Sequence, residues 1–164
     1  MPKEGVSRRE YRTRKFGSWE RSQELDARVV AAGEAEGIHF AFDRIERTPN
    51  TLDAHRLVGL AERRGVQDAV VEALFRAYFT EGRDISNRQT LLDVVAEAGL
   101  DRHQAEAVLD SEGGLEAIKE ADTLARRFRV EGVPFFIIHG TVTLSGAQQL
   151  DAFLDAFRRA LVTK

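Results

Sequence analysis

The sequence contains no cysteine. That absence excludes disulfides, thiolate metal sites and a cysteine nucleophile. No apolar run approaches the roughly 20 residues needed for a membrane-spanning helix. The opening Met1-Pro2-Lys3-Glu4-Gly5 lacks the apolar core of a secretory signal, so the cytoplasm is the expected location. Four histidines, His39, His55, His103 and His139, lie scattered and form neither an H-x-x-x-H pair nor the HExxH zinc pattern. There is no Walker A loop, no GxGxxG and no GxSxG. No metal or cofactor is expected.

What is present suits a packed domain. The 164 residues are 43% hydrophobic and 31% charged, with no low-complexity tract, which fits one domain or one domain carrying a large insertion. Charge is unevenly spread. Seven basic residues against three acidic ones leave residues 1–21 at +4 and the remainder at −7, for a total of −3. Such an arm can touch RNA or an acidic partner. The favoured reading is an exposed helical face beside an acidic body, because no aromatic ladder accompanies the arginines.

Caps and periodicity outline the helices. Ser7-Arg8-Arg9-Glu10 fits a capping box opening a helix over 8–16, stopped by Gly17. Ser18 caps a second helix with Trp19, Leu25, Val29, Val30 and Ala32, ending near Gly33 to Gly37. Ile38 to Phe42 alternates as a short extended segment would. After Thr48-Pro49, Asn50 is placed as the cap of a helix over 51–64. That helix sets Leu52, His55, Leu57, Leu60 and Ala61 near one face. A helix over 67–80 carries a broad apolar stripe from Val70 to Phe79. Ser86-Asn87-Arg88-Gln89 reads as another capping box before Leu91 to Val95, and Asp101 caps a short helix ending near Leu109. Residues 51–110 form a compact all-helical unit in this reading.

After Gly113-Gly114 the pattern changes. A helix over 115–129 leads to Gly132-Val133-Pro134 and the apolar strand Phe135-Phe136-Ile137-Ile138. His139-Gly140 then turns the chain into a returning strand, Thr141 to Ser145. Gly146 breaks that strand, and a helix over 147–161 follows. It carries Leu150, Phe153, Leu154, Phe157 and Leu161 at helical spacing.

The order helix, strand, strand, helix, with a proline entering the first strand, is similar to the C-terminal half of a thioredoxin fold. The helical unit before it resembles the insertion of DsbA-like proteins. Four motifs occur in order: Thr48-Pro49-Asn50-Thr51-Leu52-Asp53-Ala54-His55-Arg56, Ala73 to Phe79, Gly132 to Phe136, and Ser145-Gly146-Ala147-Gln148. Together they resemble the FrnE-type branch of the DsbA-like oxidoreductases. The fold class implied is α/β thioredoxin-like but incomplete, a mostly helical insertion plus the C-terminal α-β-β-α half. Residues 1–37 are N-terminal helices, 38–112 the insertion and 113–164 the thioredoxin-fold half.

The resemblance also implies a strand, a Cys-x-x-Cys helix and a second strand ahead of Ser7, and the chain reads as a member lacking them. It implies a cis Val133–Pro134 bond that turns the Val133 backbone toward an extended peptide or thiol substrate. It places Gly146 and Gln148 in a region that contacts glutathione in related proteins, although a plain strand-to-helix turn capped by Ser145 explains that segment too. Asn50 and His55 match family positions facing the redox cleft. A capping asparagine and a partly buried histidine account for them nearly as well. Without a thiolate, no disulfide exchange by these residues is expected. A thiol-less peptide-binding or partner-binding module is the alternative. Kinship with 2-hydroxychromene-2-carboxylate isomerase is a further one, which the TLDAHR and SGAQ residues suit less well. Because Phe135 to Ile138 is apolar on both faces, as in a central strand, self-association through an open sheet edge is expected.

Overall fold

Several helix boundaries fall where a side chain or a glycine satisfies the terminal backbone groups. The computed structural model describes residues 1–130 and 132–162. After the short strand β1 (Val6–Ser7), the Ser7 hydroxyl accepts from the Glu10 N–H at the start of α1 (Arg8–Phe16). Gly17, at φ +91°, ends that helix, a conformation that costs glycine little. Ser18 caps α2 (Trp19–Ala35) through the Arg21 N–H at 3.0 Å.

The chain forms two compact units, Met1–Ile118 and Lys119–Lys164. In the first, α1 and α2 meet through polar groups rather than the expected apolar positions. Ser22 and Gly33 are the buried residues of α2, whereas Val29 is exposed. Asp26 accepts from Arg8 at 2.8 Å and from Arg12 at 2.6 Å. The basic arm is therefore not simply an exposed face, since Arg8 is only 5% exposed. Burial, with Arg8 close by, lowers the Arg12 pKa from its usual value. At Gly33 the chain doubles back so tightly that a Cβ would lie 2.5 Å from the Phe40 ring.

The segment 38–41 is not a strand, and Phe42–Arg44 is a 3₁₀ turn. Its alternation still has a consequence: Phe40 and Phe42 stack with centroids 4.9 Å apart, and both meet Phe79 edge-on. The following strand β2 (Arg47–Thr48) pairs antiparallel with β1, Val6 opposite Thr48. Two-residue strands joined across some forty residues leave no periodic signal in the sequence.

Four helices then build the core: α3 (Leu52–Arg63), α4 (Gln67–Phe75), α5 (Arg88–Glu97) and α6 (Arg102–Leu109). Leu57, Val70, Leu91, Val94 and Val95 are fully enclosed among them. The expected helix over 67–80 divides. From Arg76 to Thr80 it widens to a π turn, where the Glu81 N–H reaches back to the Arg76 carbonyl at 3.0 Å. Asn87, not Ser86, caps α5 by accepting from the Thr90 N–H at 3.0 Å. Ser86 is occupied with Asp84 and the Glu4 carbonyl.

Helix α7 (Leu115–Arg127) begins in the first unit and runs into the second. There β3 (Phe135–Ile138) and β4 (Val142–Ser145) form an antiparallel hairpin with Ile138 opposite Val142. The turn therefore holds three residues, with His139 and Gly140 both at positive φ. Helix α8 (Leu150–Val162) packs on this hairpin through Ala156 and Ala160 beside buried Val142. Phe153 meets Phe136 edge-to-face at 4.9 Å. Leu150, Leu154, Phe157 and Leu161, which recur at helical spacing, are exposed. Among the described residues, the two strands cover only part of that stripe.

Candidate functional site

Two sets of residues carry the functional interpretation, one in each unit. In the second unit, Val133 and Pro134 enter β3 directly. The Val133–Pro134 peptide bond is cis. Val133 is 85% exposed, the most open large apolar residue alongside Leu161. The Pro134 carbonyl accepts from the Gly146 N–H at 2.8 Å, which extends the hairpin ladder by one step. Gly146 sits at φ +81°, and the Gln148 amide donates to the Ser145 carbonyl at 2.7 Å. Val133, Pro134, Gly146 and Gln148 thus share one end of the hairpin.

One expectation for this end fails. Ser145 to Gln148 is not the first turn of the last helix, because α8 starts at Leu150. The Gly146 N–H is already committed to Pro134. A ring of free helix N–H groups for an anion is therefore not formed by 145–148. The strand-breaking glycine was legible in the sequence. The three-residue link between it and the helix was not.

In the first unit, Asn50 stands one residue ahead of its expected role. Thr51 occupies the cap position of α3 and makes no side-chain cap. The Asn50 Oδ1 instead accepts from the Leu52 N–H at 3.0 Å, a local Asx turn. Its Nδ2 donates to the Met1 and Pro2 carbonyls at 3.1 and 3.2 Å. Asn50 therefore ties the N-terminal segment to the entrance of α3. His55 is exposed rather than partly buried, and Leu52 is 40% exposed. The helix is rotated from the expected face by the residue next to His55.

That residue is Arg56, only 4% exposed. Its Nε donates to the Gly113 carbonyl at 2.8 Å, and its Nη1 pairs with Asp53 at 2.8 Å. Its Nη2 reaches the Val108 and Ser111 carbonyls at the end of α6. A planar cation there satisfies terminal carbonyls and the negative end of a helix dipole together. Sequence periodicity passed over Arg56 because a charged residue between His55 and Leu57 reads as solvent-facing.

His55 lies on the rim of a pocket of about 490 Å³ formed by α3, α4 and the π turn. Tyr78 and Phe79, from the π turn, form part of its wall. The Tyr78 hydroxyl donates to the Arg47 carbonyl at 3.2 Å, and burial pushes its pKa above the usual phenol value. Among the described residues, no group of three or more His, Cys, Asp or Glu side chains is placed to hold a metal ion. No described helix is long and apolar enough to cross a membrane.

The DSBA-like thioredoxin domain family matches residues 1–158. The chain belongs to that family. A crystal structure of a probable DsbA oxidoreductase from Streptomyces coelicolor is similar to this DsbA-like chain with a TM-score of 0.87 and 28% sequence identity, over 99% of this chain and 71% of that one. No curated protein matches the sequence. The DsbA-like fold agrees with the element order seen here: helices followed by a helix–hairpin–helix segment, with a proline entering the hairpin.

Proposed function

We propose that this chain is the substrate-holding part of a FrnE-type DsbA-like disulfide oxidoreductase, and that it binds an extended peptide or thiol substrate without itself exchanging disulfides. Exchange requires a thiolate to attack one sulfur of a disulfide while the other leaves as a thiolate. With no cysteine among the 164 residues, both thiols of a redox pair must come from residues outside them. The observation that carries the reading is the exposed Val133, next to Pro134 and at the head of a strand with one edge unpaired among the described residues.

Strand β3 has β4 as its only neighbour among the described residues. Successive residues of a strand point to opposite faces, and both Phe136 and Ile137 are exposed. Both faces of this apolar strand are thus at least partly uncovered. A peptide added beside β3 gains main-chain hydrogen bonds from the free edge and apolar contacts from alternate side chains. Within the first unit, taken by itself, His55 presents an exposed ring and Asn50 fixes the start of α3. The thiol-less binding module is the same surface used without a redox partner, and the absence of cysteine favours it equally.

The open edge also pairs with itself. Light scattering is expected to show species larger than a monomer at moderate concentration. Ile137→Lys puts a charge on the exposed face of β3 and is expected to return the chain to a monomer while weakening peptide binding. A wild-type chain that stays strictly monomeric, or a lysine variant that still self-associates, contradicts the role assigned to this edge.

A further inference from the structure

The pocket beside His55 has a chemistry of its own, independent of the disulfide reading. At about 490 Å³ it falls within the range of roughly 300–1,000 Å³ typical of small-molecule sites. Its floor is apolar: Leu74 and Ile85 are each 7% exposed, and Val58 and Val71 line the walls between them. Phe75 is 57% exposed on its lip, an unusual setting for so large an apolar ring in a well-packed helical unit. The π turn sets Tyr78 and Phe79 into the same wall, and such turns recur at ligand sites.

The polar groups are few and lie at one end. Thr48 and Thr51 flank the entrance to α3, and His55 is on its first turn. Helices α3 and α4 pack against each other across a three-residue link, so these groups face the end of α4, while Val58 and Val71 lie deeper toward the link. No aspartate or glutamate lines the pocket. Its threonine hydroxyls can donate hydrogen bonds, and so can a ring N–H of the histidine. A neighbouring hollow that shares Phe75 and Phe79 is larger but mixes Glu72 with Arg76, so it offers no such charge preference.

We propose that this pocket binds an apolar monocarboxylate of the medium-chain acyl type, the tail between Val58, Val71 and Leu74 and the carboxylate at Thr48, Thr51 and His55. The apolar body supplies affinity through burial, and the single acidic head supplies orientation.

Calorimetric titration of the full chain with decanoate, kept below its micellar range, is expected to give saturable one-site binding. Decanol, with the same tail and no charge, is expected to bind about tenfold more weakly. His55→Ala should bring decanoate down toward decanol. Val71→Trp fills the pocket and should reduce the affinity for decanoate by about tenfold or more. Val58→Phe serves the same purpose should the tryptophan variant fail to fold by circular dichroism. Phe157→Ser, on the exposed face of α8, should leave binding unchanged. Absence of saturable binding by the folded wild-type chain overturns the proposal. So does decanoate affinity indifferent to both pocket-filling variants, or lost in Phe157→Ser. None of these results depends on a thiol, so failure here leaves the peptide-binding reading untouched.

Discussion

Arg56→Met is expected to destabilise the helical unit by about 3–5 kcal/mol, the usual range for removing one member of a buried ionic network. Methionine retains much of the arginine stem's apolar volume, so lost packing contributes little. What is lost is a donor set. The carbonyls of Val108, Ser111 and Gly113 lose their guanidinium partner, and Asp53 loses its closest cation. A backbone acceptor that loses its partner where water is kept out costs about 1–3 kcal/mol. Lys3, 3.6 Å from Asp53 and largely exposed, offers weak compensation. Arg56→Lys should recover only part of the loss, because an ammonium group cannot present a planar fork to acceptors in several directions. Urea unfolding followed by far-UV circular dichroism measures both variants. A loss under about 1 kcal/mol for the methionine variant would mean that water replaces the guanidinium, and that this residue does not organise the α3–α6 junction.

Asp26→Asn is expected to cost about 3 kcal/mol for a related reason. One carboxylate answers two guanidinium groups, Arg8 at 2.8 Å and Arg12 at 2.6 Å, and all three side chains are less than a fifth exposed. Asparagine keeps the shape but turns an NH₂ group toward one arginine and removes the only charge opposing both. Arg8 is already short of partners, since its Nε is buried without a hydrogen bond. Its remaining support is the Phe42 ring, 5.2 Å from the guanidinium carbon, and the neighbouring Tyr78 hydroxyl. Unfolding in urea should show the loss, and pairing Asp26→Asn with Arg8→Met should cost less than the two single losses added together. Strict additivity would contradict the coupling inferred for this cluster.

These two clusters also show where sequence reading stops. Local signals worked wherever one side chain settled a helix end. Ser7, Ser18 and Asp101 cap α1, α2 and α6 as expected, and Gly99 follows α5. They slipped by one residue where two candidates competed. Ser86 and Asn87 both can cap, and the choice fell to Asn87 because Ser86 is bound to Asp84 and to Glu4, far away in the chain. Asn50 was diverted in the same way by the Met1 and Pro2 carbonyls.

Periodicity identified the apolar faces of α5 and α6, but on α3 it took in the exposed Leu52 and His55, on α4 the exposed Phe75, and it missed contacts made by charge. Arg56 and Arg8 are buried, and Asp26 partly so, because of partners distant in sequence. The β1–β2 pair and the π turn depend likewise on tertiary context. On α8 the periodic stripe is real, but the hairpin covers mainly its alanine edge. The candidate site was legible in composition and motif: no cysteine, Gly132-Val133-Pro134, and Ser145 to Gln148. Its geometry was not, since the Pro134–Gly146 hydrogen bond uses a backbone group that a helix-start reading left free.

The central claim is that the head of β3 holds an extended chain without performing chemistry on it. Its most direct test is a titration of ¹⁵N-labelled protein with a short unstructured peptide carrying one central reduced cysteine. The account predicts saturable amide shifts centred on Val133, Phe135 to Ile138 and Gly146, with the peptide recovered unmodified. Shifts confined to other surfaces, or no shifts at peptide concentrations well above the protein's, would contradict it.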